Sequence, residues 1–284
     1  IPIPIDTDSI RESLKGKTVM VTGAAGSIGS ELVRQLCQFD TGMLMLCDNA
    51  ETPLHELTLE LDEYYPDTNY TAKLCNMQDY LQIKHIIKKY RPDYIYHAAA
   101  YKHVPMMENH PCEAVLTNVS GTKNLIDLAI EYETEAFVMI STDKAVNPGN
   151  VMGASKRIAE IYVQALAKHI KETGKTNTRI ITTRFGNVLG SNGSVIPLFK
   201  RQIEKGGPVT VTDPEIIRYF MTISEACRLV LDAGNLGRGG EVFLFDMGDP
   251  VRIKEMAEEM IWLSGMTPYE DIDIVYTGLR PGEK

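Results

Sequence analysis

The sequence predicts an α/β fold, a doubly wound parallel sheet of the Rossmann type with a smaller C-terminal lobe, and three observations carry that prediction. Short β-branched apolar runs alternate with amphipathic helical stretches as far as about Phe185, the pattern of parallel strands joined by crossover helices. Gly23, Gly26 and Gly29 form a G-x-x-G-x-x-G turn between the first run and the first helix. Asp48 closes the second run about twenty residues on, where a dinucleotide fold places a carboxylate on the adenosine ribose.

Taken in order, residues 1–16 carry two prolines and little periodicity, and read as an arm or linker. Thr18 to Val21 reads as a buried strand, and Ile28, Leu32, Val33 and Leu36 share one face of the helix after the glycines. Between them the backbone can approach a pyrophosphate, whose charge meets N–H groups and the positive end of the helix. A strand from Met43 to Cys47 ends at Asp48, and a helix from about Thr52 to Tyr64 follows, with Leu54, Leu57 and Leu61 at helical spacing. A strand near Tyr70 to Leu74 leads to a helix from Asp79 to Tyr90, and the strand Asp93 to His97 runs into Ala98-Ala99-Ala100. A long helical region over about Pro111 to Tyr132, a strand from Ala136 to Ile140, a helix from about Val151 to Thr173 and a strand from Arg179 to Arg184 complete the alternation. Beyond Phe185 the pattern loosens around Gly186, Gly190, Gly193, Gly206 and Gly207. The expected division is therefore an arm over 1–16, a dinucleotide-binding domain over 17–186 and a mainly substrate-binding lobe over 187–284.

Composition narrows the function. A net charge of −9, with no Lys/Arg cluster, argues against a nucleic-acid surface. Cys37, Cys47, Cys75, Cys112 and Cys227 are an odd number without C-x-x-C spacing, and read as reduced thiols of a cytoplasmic protein. No apolar run approaches the roughly 18 residues of a membrane span, and no signal peptide is present. His97, His103 and His110 are irregularly spaced and lack a carboxylate or cysteine set, so no metal site is expected. Neither a G-x-S-x-G elbow nor a Ser-His-Asp order appears. The chain opens on Ile1 and ends at Lys284, and is expected to be an excised piece of a longer protein.

In such a sheet ligands bind at the carboxyl ends of the strands, and the residues there are unusually polar. The glycine turn offers Gly23, Gly26, Ser27, Ile28 and Gly29, and the second strand end Asp48 and Asn49. Asn76 and Met77 stand where an amide and a backbone N–H can meet an adenine. Ala98, Ala99 and Ala100 are small enough for close cofactor approach, and Tyr101, Lys102 and His103 follow them. After the fifth strand come Ser141, Thr142, Asp143 and Lys144, and the next helix opens with Met152-Gly153-Ala154-Ser155-Lys156. Adjacent opposite charges such as Asp143 and Lys144 ordinarily form a surface pair; a strand-end position beside the cofactor argues instead for chemistry. Asp48 would repel a 2′-phosphate and no arginine sits beside it, which favours NAD over NADP.

From about Lys15 the whole chain resembles the extended short-chain dehydrogenase/reductase enzymes, and within them the CapD-like nucleotide-sugar 4,6-dehydratases of bacterial polysaccharide and capsule biosynthesis. The resemblance rests on TGAAGSIGSEL (22–32), HAAAYKHVPMME (97–108), STDKAVNPGNVMGASKR (141–157), RFGNVLGSNGSVIP (184–197) and RPGEK (280–284). It implies a lyase acting on a UDP-sugar, UDP-N-acetylglucosamine above all, by NAD-mediated oxidation at C4, loss of water across C5–C6 and hydride return to C6. It assigns Asp143 as the acid at the C6 oxygen and Lys144 as the base at C5, roles in which the carboxyl holds a proton and the ammonium has given one up. Met152 stands where the wider superfamily has a proton-accepting tyrosine, and methionine cannot take that proton. Lys156 is kept for the nicotinamide ribose, and Thr142, Asp143 or Lys144 is left to deprotonate the C4 hydroxyl. The resemblance also implies that Asn118 and Thr122 support the cofactor side, an amide bonded within its own helix being the plainer reading of Asn118. It places His103, Asn187, Ser194, Val195, Arg218, Arg252, Arg280 and Glu283 about the UDP-sugar, where an arginine's planar donor fork suits a diphosphate. The parent protein is expected on the cytoplasmic face of the inner membrane, held there by N-terminal helices outside this sequence. The helices near 111–132 and 151–173 resemble a pair that builds a dimer contact, so a homo-oligomer is expected. A UDP-sugar 4-epimerase shares the first hydride step but needs no acid/base pair at C5 and C6; a non-catalytic NAD-binding sensor or scaffold would have no chemical need of Asp143, Lys144 and Lys156.

Overall fold

The computed structural model describes residues 6–191 and 193–279. Its first half runs α1 (Thr7–Leu14), β1 (Thr18–Thr22), α2 (Ser27–Leu36), β2 (Met43–Asp48), α3 (Glu51–Tyr64), β3 (Tyr70–Leu74), α4 (Tyr80–Tyr90), β4 (Tyr94–His97), α5 (Val104–Asn109), α6 (Pro111–Ala114), a π-helical stretch Val115–Gly121 and α7 (Thr122–Glu131). The second half runs β5 (Ala136–Thr142), a 3₁₀ turn Asp143–Ala145, α8 (Val151–Thr173), β6 (Arg179–Phe185), β7 (Asn187–Leu189), α9 (Val195–Glu204), β8 (Val209–Val211), β9 (Ile217–Arg218), β10 (Phe220–Thr222), α10 (Ile223–Leu236), β11 (Val242–Leu244), β12 (Val251–Arg252), α11 (Ile253–Leu263) and β13 (Ile274–Tyr276).

Seven of these strands pair in the order β11-β6-β5-β4-β1-β2-β3, every neighbour parallel. Strand alternation explains why both faces are covered. Val19, Val21, Leu44, Leu46, Tyr96 and Val138 enter a core shared with α1, α2, α3 and α10. Met20, Met45, Ile95, Phe137 and Met139 point the opposite way, into a core shared with α4, α7 and α8. Each fully buried side chain of this size contributes about 1.5–3 kcal/mol. The strand order reverses between β1 and β4, so their carboxyl ends open a crevice at the Ala98–Ala100 turn.

The alternating α/β reading holds for every strand from Thr18 to Arg184. Residues 7–14, expected within an arm, instead form α1. Asp6 caps that helix by accepting from the Ser9 N–H at 3.0 Å, and Ile10 and Leu14 are buried. The loosened region after Phe185 also sends α10 and β11 back to the main sheet. The rest of it packs α9, β8, α11 and β13 around Phe199, Ile203, Val209, Val211, Ile253 and Ile261. Its strands are two or three residues long and its core is separate, which is why periodicity fades there. Among the described residues no helix is long and apolar enough to cross a membrane.

Candidate active site

Three cavities run together along the carboxyl edge of the sheet. The first, of about 230 Å³, is lined by Gly23, Gly26, Asp48, Asn49, Asn76, Met77 and Ala98 to Ala100. Gly23 sits at φ +66°, and a Cβ there would lie 2.6 Å from the Ala99 nitrogen, so the first glycine is what lets β1 turn against β4. A Cβ on Gly29 would overlap the Gly23 carbonyl, so this glycine serves helix–strand contact and does not line the cleft; Ser27 does not line it either. Gly26 caps α2 without a side chain, leaving backbone to line the turn. Asp48 accepts from the Ala25 N–H and the Ala50 N–H, both at 2.9 Å, and so bridges the glycine turn to the start of α3 with oxygen lone pairs to spare. Asn76 Oδ1 accepts from the Gln78 N–H at 3.0 Å, and the residue is exposed. Glycine backbone at the start of α2, with the Asp48 carboxylate on the same lining, fits a dinucleotide.

Beneath the cleft lies a buried polar chain. Thr122 Oγ1 donates to the Asn118 carbonyl at 2.7 Å and therefore accepts from His97 Nε2 at 2.9 Å. His97 Nδ1 in turn accepts from Thr22 Oγ1 at 2.7 Å, which fixes one neutral tautomer joining β1, β4 and α7. Burial, then the Lys156 charge, push His97 down to about 3. The unfolded chain therefore binds a proton that the folded chain refuses between its ordinary value of about 6.5 and about 3. Stability should fall with acidification across that window, by up to about 1.4 kcal/mol per pH unit from this group. Denaturant titrations at several pH values check it: His97→Gln should be flatter than the parent by one proton below pH about 6.5 and parallel to it above.

Asn118, expected at the cofactor, is fully buried and spends its side chain inside the protein. Its Oδ1 accepts from the Tyr101 N–H at 2.8 Å, and its Nδ2 donates to the Tyr101 carbonyl at 3.0 Å and to Ser155 Oγ at 2.9 Å. With both amide hydrogens used, it clamps the loop after β4 to the first turns of α8 rather than touching a ligand. The π-helical stretch Val115–Gly121 is what carries this side chain.

The second cavity, of about 270 Å³, shares Ala98 and Ala100 with the first and is lined by Ile28, Lys102, His103, Ser141, Thr142, Lys144, Met152 and Lys156. Thr142 ends β5 and donates to Asp143 Oδ1 at 2.8 Å. Lys144 Nζ donates to the same oxygen at 3.3 Å and to Asn187 Oδ1 at 3.1 Å. Asp143 stands at the rim, half-exposed, and is not part of the lining itself. Lys156 is buried, donates to the Ile140 carbonyl at 3.1 Å, and is pushed down to about 8 by burial, Glu160 opposing. Burial and the neighbouring Lys144 also lower Lys102; burial and Lys102 lower His103. Ser141 Oγ lies near Glu160 without a sound hydrogen bond, and Ser194 Oγ is likewise buried and unpartnered. Such hydroxyls are costly unless a ligand or water completes them. Met152 reaches this cavity from a small apolar cluster with Met107, Ala114, Val104 and Val151.

The third cavity, of about 230 Å³, shares Asn187, Gly193 and Ser194 with the second and is lined further on by Val195 and Arg218. Arg252, expected at the substrate, is drawn away: it pairs with Glu215 at 2.8 Å and Glu255 at 3.6 Å and lines none of the three. Arg280 and Glu283 lie outside the described residues. Sequence reasoning missed Cys47, Cys75 and Thr117 as lining of the first cavity. It also missed Asn124, which donates to the Met77 and Gln78 carbonyls at 3.1 and 3.2 Å and so holds the loop after β3. No local signal marks them, since their partners lie on other elements.

Residues 19–284 match the family described as polysaccharide biosynthesis protein. The capsular polysaccharide biosynthesis protein CapD of Staphylococcus aureus is 51% identical over 284 residues, the whole of this chain and 46% of that protein. The chain therefore spans about half the length of that relative. Among solved structures, Pen from Bacillus thuringiensis superposes with a TM-score of 0.88 at 33% identity, covering 95% of this chain and 82% of that one. A double mutant of DesIV, a dTDP-glucose 4,6-dehydratase from Streptomyces venezuelae solved with NAD bound, shares the fold with a TM-score of 0.79 at 22% identity, over 94% and 88% of the two chains.

Proposed function

The chain belongs to the polysaccharide biosynthesis protein family, and on that premise we propose that it is an NAD-dependent nucleotide-sugar 4,6-dehydratase whose substrate is UDP-N-acetylglucosamine. One observation carries the reading. Thr142, Asp143 and Lys144 form a hydrogen-bonded set at the end of β5, on a cavity that also holds Lys156 and has Met152 where a tyrosine would serve an epimerase or dehydrogenase. The glycine turn, Asp48, Ser141 and Lys156 would hold NAD, which supplies the means to move a hydride from C4 of the sugar to C6. Asn187, Ser194, Val195 and Arg218 would hold the UDP-sugar.

The chain's own residues then move protons. Thr142 donates to Asp143, so a C4 hydroxyl donating to Thr142 Oγ1 passes its proton on to that carboxylate. The protonated Asp143 is the acid the C6 hydroxyl needs, and the proton lost from the C4 oxygen departs with that hydroxyl as water. Lys144, as the free amine, takes the C5 proton and gives it back once C6 is reduced. Atoms balance without an outside acid or base, and the product is a 4-keto-6-deoxy sugar. Ile158 and Ile161, half-exposed on α8, suit the proposed self-association.

Proton NMR in deuterated water with UDP-N-acetylglucosamine and NAD tests the reading. A new C6 methyl signal with deuterium at C5 is expected. Conversion only to the galacto isomer would replace dehydration by epimerisation. No turnover by this chain or by a longer one, with NAD bound, would leave a sensor or scaffold.

A further inference from the structure

The residues that line the second cavity come from separate elements. Lys156 and Met152 belong to α8, whereas Lys102 and His103 belong to the loop after β4. The short helix α5 starts directly after His103, and it reaches α8 twice. Val104 and Met107 pack with Val151 and Met152 in a small apolar cluster. Beside that cluster Glu108 Oε1 accepts the Val151 N–H at 2.7 Å. Val151 is the first residue of α8, and its N–H has no carbonyl one turn back to receive it. Asn150 serves a different donor, the Gly153 N–H, at 2.7 Å, so the two side chains divide the orphan N–H groups of this turn. A carboxylate also suits the positive end of a 23-residue helix.

We propose that Glu108 is a positioning residue: through the Val151 N–H it fixes the first turns of α8, and with them Met152 and Lys156, against the cofactor floor carried by the loop after β4. The proposal rests on the dinucleotide reading of the cleft. Glu108 does not line any of the three cavities and touches no reacting atom. Its effect is geometric, since Lys156 lies five residues along the helix from Val151 and takes its place from that turn. A tyrosine at position 152 would add its own hydrogen bond to the active site. Methionine gives the turn packing alone, so the hydrogen bonds that place it from other elements come from Glu108 to Val151 and from Asn118 to Ser155.

The test compares Glu108→Ala with Glu108→Gln, which keeps an acceptor oxygen and removes the charge. Amide hydrogen exchange of residues 151–156, titration with NAD, and turnover of UDP-N-acetylglucosamine are measured on each. Glu108→Ala should raise exchange in that turn, weaken NAD binding about tenfold and lower kcat about tenfold with KM for the sugar within about twofold. Glu108→Gln should recover most of each. Unchanged exchange and NAD affinity in the alanine variant would overturn the proposal, as would a glutamine variant no better than alanine. If the parent protein dehydrates nothing, the exchange and NAD arms still decide the positioning role, while the dehydratase reading fails separately.

Discussion

Asp143→Asn and Lys144→Met should each lower dehydration of the nucleotide sugar by about 10²–10⁴-fold, with NAD affinity held within about twofold. The two side chains share one hydrogen bond through Asp143 Oδ1, and each alone leaves half of a proton exchange. Asparagine cannot carry a proton from the C4 oxygen to the C6 oxygen, and methionine cannot take one from C5. The losses should not add in the double variant, because the pair acts as a unit. Single-turnover measurement separates the two roles. Lys144→Met should still reduce bound NAD when sugar is added, seen as absorbance of the reduced nicotinamide, but should exchange no deuterium into C5. Normal deuterium exchange in that variant would remove Lys144 from the base role.

Arg184→Leu should be the most damaging change away from the chemistry, costing about 3–5 kcal/mol of stability. Glu160 is fully buried and is held by a two-pronged contact with Arg184, Nε to Oε1 at 2.8 Å and Nη2 to Oε2 at 2.5 Å, with Arg157 at 3.1 Å. Burial opposes the Glu160 charge, and these arginines outweigh it and hold the carboxyl below its ordinary range. Removing Arg184 strands that charge. At this chain length the melting temperature should fall by roughly ten degrees. The folded carboxyl titrates lower than the unfolded one, so the network's contribution is present above the ordinary carboxylate range and is lost as pH drops through the folded value. The gap between Arg184→Leu and the parent in thermal melts should therefore be widest near neutrality and narrow in strong acid. Pairing the change with Glu160→Met should recover part of the loss, since no unpaired charge then remains. An equal deficit at all pH values would mean that Arg184 acts by packing alone.

Several parts of the site were legible because their signals are local. The strand before Gly23, the Gly23–Gly26 turn and Asp48 lie within a few dozen residues, and their chemistry follows from spacing. Thr142, Asp143 and Lys144 were legible because they stand at the end of a strand, and strand ends face the crevice. Asn118 and Arg252 were less so. Each has a residue type that suits a ligand, and each is spent on protein instead: Asn118 on Tyr101 and Ser155, Arg252 on Glu215 and Glu255. A side chain's donors go to whichever partner lies nearest, and spacing along the chain does not report that. The helix α1 was missed for a similar reason, being short and buried through only Ile10 and Leu14.

By itself, then, the sequence determined the alternating α/β fold, the dinucleotide turn and the polar set at the end of β5, because helical and strand periods and glycine turns are written in neighbouring residues. Only the tertiary structure decided that Asn118 clamps Tyr101 to Ser155, that Glu108 holds the start of α8, and that α10 and β11 return to the main sheet. Those contacts join residues tens of positions apart, and the strand order, not the spacing, brings them within hydrogen-bond reach.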